Sequence, residues 1–315
     1  MNKSETDAGR LPLAVVVSAI GLAALTVWSF LPALTEMSNK WASNPLYSHG
    51  YLVPLFAFAI LYVRRVRLAG VKLGFSWGGL PLIALAGLIF VTGGLVASDT
   101  ITGLALIPAT AGLFVIAGGW SALAWSWPAV GFLAFMIPLP YQIEIALSAP
   151  LRGIATTLST LALQTFGFPA IAEGNVILLE HGSVAVVEAC SGLGMLLTFL
   201  ALATAVLIIA NRPIIDKLLV LFTIPAIAVF ANVVRITANG VAVELWGADV
   251  ANRWFHDQAG WLMMPIAITM LCAELWVLAK LFPTALAGEK VLQGMFIPGM
   301  PLPKQPAVTL KGHKR

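Results

Sequence analysis

Three side chains far apart in the chain could together carry out nucleophilic chemistry: Cys190, Arg235 and His256. A thiol is a good nucleophile only as its thiolate, and a nearby cation or imidazole favours that form. An arginine held beside it would also stabilise the oxyanion of an acyl transfer. A histidine would serve as base or ion-pair partner, and later as the acid for a leaving amine. Cys190 follows a polar, acidic stretch and precedes a long apolar run that starts at Leu193, so it falls where an aqueous loop enters a membrane helix. Asn232, one turn before Arg235, shares its helix face and could orient the guanidinium. Glu188 works the other way. Strand alternation would put it on the face of Cys190, which opposes thiolate formation unless Arg235 or His256 neutralises it.

Each of these residues also has an ordinary reading. A cysteine in a membrane helix is commonly a small packing residue, and Cys272 in mid-span is read that way. Arg235 alone could snorkel to an interface, and His256 alone could be a loop histidine. Their arrival at one depth from three separate elements is what argues for chemistry. His49, His181 and His256 show no HExxH or CxxC spacing, so neither a metal nor another cofactor is expected.

The elements that must position these groups are membrane helices. Of the chain, 59% is hydrophobic and only 10% charged, with a mean hydropathy of +0.93. Soluble domains carry about 25% charged residues. The net charge of +4 does not point to nucleic acid, because basic residues in such a chain collect in cytoplasmic loops. Two cysteines are too few for a disulfide framework. The first apolar run, 11–34, lacks a small-residue cleavage site and reads as a retained helix.

A span needs about 20 residues, which yields eight. They are expected at 11–34, from about Leu46 to Val63, at 77–96, 101–119, 120–139, 193–210, 218–238 and 258–280. Glu36 to Tyr47 reads as a polar connector, Asp99 as a tight turn, and the IPLP at 137–140 as a helix end. Trp120, Trp125 and Trp127 fit an interfacial belt. Residues 141–168 carry Glu144, Arg152 and Gln164 and read as an interfacial or re-entrant helix. Residues 171–188 read as a short extracytoplasmic β-hairpin turning near Gly182, and 239–257 as an external loop that could carry its own short helix. The fold class is thus an all-α polytopic membrane protein with one interfacial helix and a hairpin before the cysteine. Residues 1–281 form one integral membrane catalytic domain, and 282–315 a cytoplasmic, proline-containing basic tail with little order.

Arg64, Arg65, Arg67 and Lys72 after span two, Arg212 and Lys217 between spans six and seven, and Lys3 and Arg10 at the start all fall on one side. The positive-inside rule makes that side cytoplasmic, with both termini inside. Cys190, Arg235, His256, His49 and His181 then share the outer face. A transporter for an envelope component is the rival reading, but mid-membrane ionisable residues are sparse and no inverted repeat stands out.

The motifs YSHGYLVP (47–54), IPLP (137–140), VVEACSGL (186–193), NVVR (232–235) and the later His256 resemble those of the exosortase/archaeosortase family. The resemblance implies a membrane-embedded cysteine transpeptidase-like enzyme with Cys190 as nucleophile and Arg235 and His256 as its partners. It marks Asn232 as an orienting residue and His49 as part of the early SHG element. It also implies substrates: exported, membrane-anchored proteins with a C-terminal sorting signal made of a short motif such as Pro-Glu-Pro, a transmembrane helix and a basic cluster. The lipid bilayer and an envelope acceptor would be the other partners, at the inner membrane of a bacterium that makes extracellular polysaccharide. Gly194-Met195 after CSGL, where many relatives carry a basic or aromatic residue, leaves the subtype and sorting motif open.

Overall fold

An apolar chain in lipid must satisfy its backbone hydrogen bonds internally, and helix does so within each segment. The computed structural model describes residues 24–68, 73–186, 191–210 and 214–248, with 21, 269–270, 272–273 and 276–277. In order these form α1 (Leu31–Ser43), a 3-10 turn (Pro45–Tyr51), α2 (Val53–Leu68), α3 (Leu80–Leu95), α4 (Asp99–Leu104), α5 (Leu106–Phe132) and α6 (Tyr141–Thr165). Strands β1 (Ala170–Glu173), β2 (Val176–Leu179) and β3 (Gly182–Ala185) follow, then α7 (Leu193–Ile209) and α8 (Ile214–Trp246). Four described helical runs are long and apolar enough to cross a membrane: Pro45–Leu68, Trp77–Leu95, Asp99–Met136 and Ile214–Trp246. The expected first and eighth spans lie largely outside the described residues.

The 38-residue run Asp99–Met136 is not one rod. Straight, it would be about 57 Å long. Yet Thr100 Oγ1 donates to the Pro138 carbonyl at 2.9 Å, so its two ends meet. The chain reverses at Gly119, whose φ of 75° and ψ of −176° are non-helical and suit glycine alone. Carbonyls freed near the break accept from the next segment: Gly74 N–H bonds Gly118 O and Ser76 N–H bonds Ile116 O. Each leg is then about 28 Å long, close to the roughly 30 Å of a hydrocarbon core. The two legs coincide with the separate helices expected at 101–119 and 120–139.

At the reversal, Trp125 Nε1 donates to Arg64 O at 2.9 Å and Arg64 Nε donates to Trp125 O at 3.1 Å. This pair fixes α2 to the second leg at the end carrying Arg64, Arg65 and Arg67, called here the basic end. Small residues set the other leg against α3: a Cβ on Gly79 would run into Ile116, and one on Gly93 into Thr102.

Four expectations need correction. The hairpin before the cysteine is a three-stranded antiparallel sheet, β1-β2-β3, with Ala170 opposite Leu179 and Leu179 opposite Gly182. The extra strand covers an edge that β2 would otherwise leave open. Residues 239–246 continue α8 instead of starting a loop, because Gly240 and Val243 pack inward where a turn would expose them. Helix α1 persists through Glu36 to Ser43, burying Met37 and Trp41, so the connector shortens to Asn44 before the 3-10 turn. Cys272 is exposed, not packed. Residues 141–165 are one continuous helix despite Pro150.

Three cores result. One joins α1, the 3-10 turn, α2, α5 and one face of α7 through Trp41, Leu46, Ile60, Phe132, Leu193 and Ala201. A second zips α7 to α8. The third packs α6 and the sheet on the far half of α8, through Leu163, Ile177, Val184, Val186, Ile236 and Val243.

Candidate active site

The candidate site is built at the end of the bundle opposite the arginines. It begins with the helix end at IPLP. The last carbonyls of the second α5 leg have no helical partner, and Pro138 and Pro140 offer no N–H. Side chains from other elements take those carbonyls. His49 Nε2 donates to Phe135 O at 3.1 Å, Trp41 Nε1 to Met136 O at 3.0 Å, and Thr100 Oγ1 to Pro138 O. The Tyr47 hydroxyl accepts from Leu139 N–H at 3.2 Å and donates to Glu144 Oε2 at 2.8 Å. The YSHG and IPLP motifs are therefore one structure: Tyr47 and His49 hold the turn from which α6 starts. His49 is 4% exposed, and its bond to a carbonyl puts the ring proton on Nε2. Its role here is to support that turn.

Next to this knot lies the start of α7. Gly194 packs on Leu46 of the 3-10 turn, where an added Cβ would stand 3.2 Å from the Leu46 Cα. Gly192 precedes the helix at φ 88°, and an added Cβ there would stand 3.0 Å from Asn232 Nδ2. Ser191 is buried and its Oγ accepts from Leu193 N–H at 3.2 Å. Cys190, Glu188 and His256 fall outside the described residues. Cys190 is peptide-bonded to Ser191, which ties it to a buried, described position about 3.8 Å away, Cα to Cα.

The packing of α7 on α8 sets which residues of α8 approach the start of α7. Met195, Phe199, Ala203 and Leu207 interleave with Val220, Ile224, Ala228 and Ala231. Only a short link joins Ile209 to Ile214, so the helices run antiparallel, and the Gly192–Asn232 contact pins the far end. The α8 stripe that faces α7 runs 220, 224, 228, 231; its next member is Arg235. Asn232 lies against Gly192, so Arg235 stands one turn, about 4.5 Å, farther along α8. Its Nη2 is buried with no hydrogen-bond partner among the described residues. Asn232 is 1% exposed against Gly192. The positive end of the α7 dipole lies at the same place, since Gly192 provides no side-chain cap. A guanidinium and a helix N-terminus both favour the thiolate of a thiol held close to them.

Two polar residues went unassigned in the sequence. Asn239 shares the face of Asn232 and Arg235, seven and four residues away, and its buried Oδ1 has no partner among the described residues. That spacing is visible once the helix is known to continue. Arg152 lies on the buried face of α6 with an equally unpartnered Nε. Farther along α8, Glu244 clamps the β2–β3 turn: its Oε1 accepts from Glu180 N–H at 2.7 Å and its Oε2 from His181 Nδ1–H at 2.6 Å. The hydrogen bond to Glu244, and then its charge, hold the His181 imidazole above the ordinary histidine range. His181 thus acts in the sheet–helix junction, away from Gly192. Between α6 and α8 an apolar groove, lined by Leu151, Leu158, Pro225, Val229 and Phe230, ends at Val233 beside Asn232.

Residues 41–273 match the model of a protein family described as transmembrane exosortase (Exosortase_EpsH). No curated protein and no solved structure matches the chain. The matched region runs from α1 through the five motifs singled out in the sequence, most of the chain. The chain belongs to the transmembrane exosortase family.

Proposed function

We propose that this protein is a membrane cysteine protease or transpeptidase that processes a C-terminal sorting signal of exported proteins at the outer face of the inner membrane. The bundle has eight spans with both termini in the cytoplasm, and the α7 start faces the periplasm. The observation that supports the reading is the contact of Asn232 with Gly192, which brings α8, one turn before Arg235, against a residue two positions from Cys190.

The substrate's transmembrane helix packs laterally on the bundle, and the apolar groove beside Asn232 supports that route. Its basic tail stays in the cytoplasm by the same charge rule that orients the enzyme. The Cys190 thiolate attacks the scissile carbonyl carbon, and Arg235 stabilises the oxyanion. The C–N bond then breaks, a thioester forms, and His256 gives the leaving amine its proton. An envelope acceptor, or water, attacks the thioester and returns the thiol. Asn232 and the Tyr47–His49 turn hold the start of α7 in place.

The test is co-expression with a tagged protein that ends in a short motif, a transmembrane helix and a basic cluster. Shortening of the reporter is expected with the native enzyme and not with Cys190→Ala or Cys190→Ser. Unchanged shortening in those variants defeats the nucleophile assignment. The mass of the product's C-terminus separates transfer, which leaves an adduct, from hydrolysis.

A further inference from the structure

The two edges of the small sheet differ. Val186 N–H bonds Asn175 O at 2.8 Å, which makes these two residues a hydrogen-bonded pair beyond the end of β3. Such pairs recur at every second residue of an antiparallel ladder, so Val184–Ile177 and Gly182–Leu179 are the next two. The main-chain N–H and C=O groups of Ser183 and Ala185 therefore point away from β2. Both residues are exposed, and these four groups have no hydrogen-bond partner among the described residues. The strand itself is held firmly. Val184 is buried in the third core, and Glu244 of α8 clamps the turn that precedes β3.

The opposite edge is blunted. The two-residue turn Gly174-Asn175 pairs Glu173 with Val176, so the outward groups of β1 belong to Ala170 and Ala172. Ala170 O accepts from Gln164 Nε2 at 2.8 Å, and Glu173 places a charge at the end of the strand. The β3 edge carries neither a charge nor a proline: it reads Gly182-Ser183-Val184-Ala185, small side chains that let another chain approach. A rigid, open edge of this kind is a template for one more extended strand. It is tolerated in water and not in lipid, so whatever pairs with it does so in the aqueous layer. The same strand continues into the candidate nucleophile, with Cys190 five residues beyond Ala185 and at most about 18 Å along the chain.

We propose that the free edge of β3 binds the substrate polypeptide, which adds the extended segment around its cleaved bond to the sheet as a fourth strand. This rests on the function proposed above. In an extended segment the N–H and C=O groups of alternate residues face one side, the spacing at which Ser183 and Ala185 offer theirs. Main-chain bonds hold the segment whatever its side chains, and they fix its register against the strand that leads to Cys190.

The experiment uses the full-length enzyme in detergent and a tagged reporter whose cleaved bond is located from the mass of the product. A synthetic peptide copying the segment around that bond, with the transmembrane helix that follows it, competes with the reporter. A series of such peptides is methylated at one main-chain nitrogen each. Methylation at alternate residues should weaken inhibition about fivefold, as loss of one main-chain hydrogen bond implies, with little change at the residues between. Ser183→Pro removes one outward N–H and leaves the β2 ladder whole, and it should weaken the unmethylated peptide by a similar factor. Ala172→Pro makes the same change on the β1 edge and should leave inhibition native. No inhibition by the unmethylated peptide, or the same response to methylation at every position, overturns the proposal. Native inhibition of the Ser183→Pro enzyme also overturns it. Should Ser183→Pro fail to accumulate, the methylated series on the native enzyme decides alone. A dimer of the native enzyme that Ser183→Pro dissociates, without the alternating pattern, assigns the edge to a second copy and overturns the proposal. Processing of no reporter by the native enzyme defeats the proposed function itself, a result distinct from all of these.

Discussion

Alanine at Gly192 imposes two separable costs on the start of α7. The first is conformational: the residue sits at φ 88°, ψ −7°, and an L side chain there costs about 1–2 kcal/mol. The second is steric. The new Cβ would lie 3.0 Å from Asn232 Nδ2 and 3.2 Å from its Cγ, and Asn232, at 1% exposure, has little room to withdraw. Overpacking of that kind costs roughly 1–3 kcal/mol. Gly167, just past α6, has the same φ of 88°, but a Cβ there would meet nothing within 4 Å. Gly167→Ala therefore reports the conformational cost alone. Thermal unfolding in detergent should show a loss of about 1–2 kcal/mol for Gly167→Ala with native reporter processing. Gly192→Ala should lose about twice as much and process the reporter slowly. Adding Asn232→Ala to Gly192→Ala removes the two closest contacts and leaves the Cβ at 3.3 Å, so part of the steric cost should be recovered and the two changes are non-additive in stability. Equal losses for the two glycine variants, with native processing in both, would refute the claim that Asn232 is held against Gly192.

Other outcomes follow from the same geometry. Tyr47→Phe removes the hydroxyl that links Glu144 to Leu139 N–H and should cost about 1–3 kcal/mol, read as a lowered thermal midpoint. The His181 contribution depends on pH: with its folded pKa raised, it is fully present below the ordinary value of about 6.5 and lost as pH rises through the folded value. The thermal midpoint of the native protein should fall over that window relative to His181→Ala, and a constant difference would contradict the clamp. The reversal at Gly119 predicts that single cysteines at Val96 and Tyr141, in a cysteine-free background, react with an impermeant reagent from one side of the membrane. A cysteine at Trp120 should react only from the other.

Much of the fold could be read from the chain because lipid leaves few options. The break between two spans was visible at Gly118-Gly119 followed by Trp120, and the structure reverses there. The end of α8 was not visible. Asn239-Gly240 reads as a loop signal, and only the packing of Gly240 on Leu163 explains why the helix runs through it. Strand β1 was missed because Ala170–Glu173 is mostly exposed and carries no alternating pattern. At the site, the motifs identified Tyr47, His49 and Asn232 as notable without indicating what they hold. Their partners are backbone carbonyls and a glycine, which leave no trace in residue spacing. Arg152 was hidden for a related reason: a charge on a mixed helix reads as an interfacial residue until the buried face is known.

A nucleophilic Cys190 must pass through a covalent acyl intermediate, which mass spectrometry of the enzyme trapped with a reporter detects. A hydroxylamine-sensitive acyl adduct is predicted on the peptide that contains Cys190, absent in Cys190→Ala and strongly diminished in Arg235→Gln. Reporter shortening without any adduct on that peptide, or with one on Cys272, would rule out Cys190 as the nucleophile.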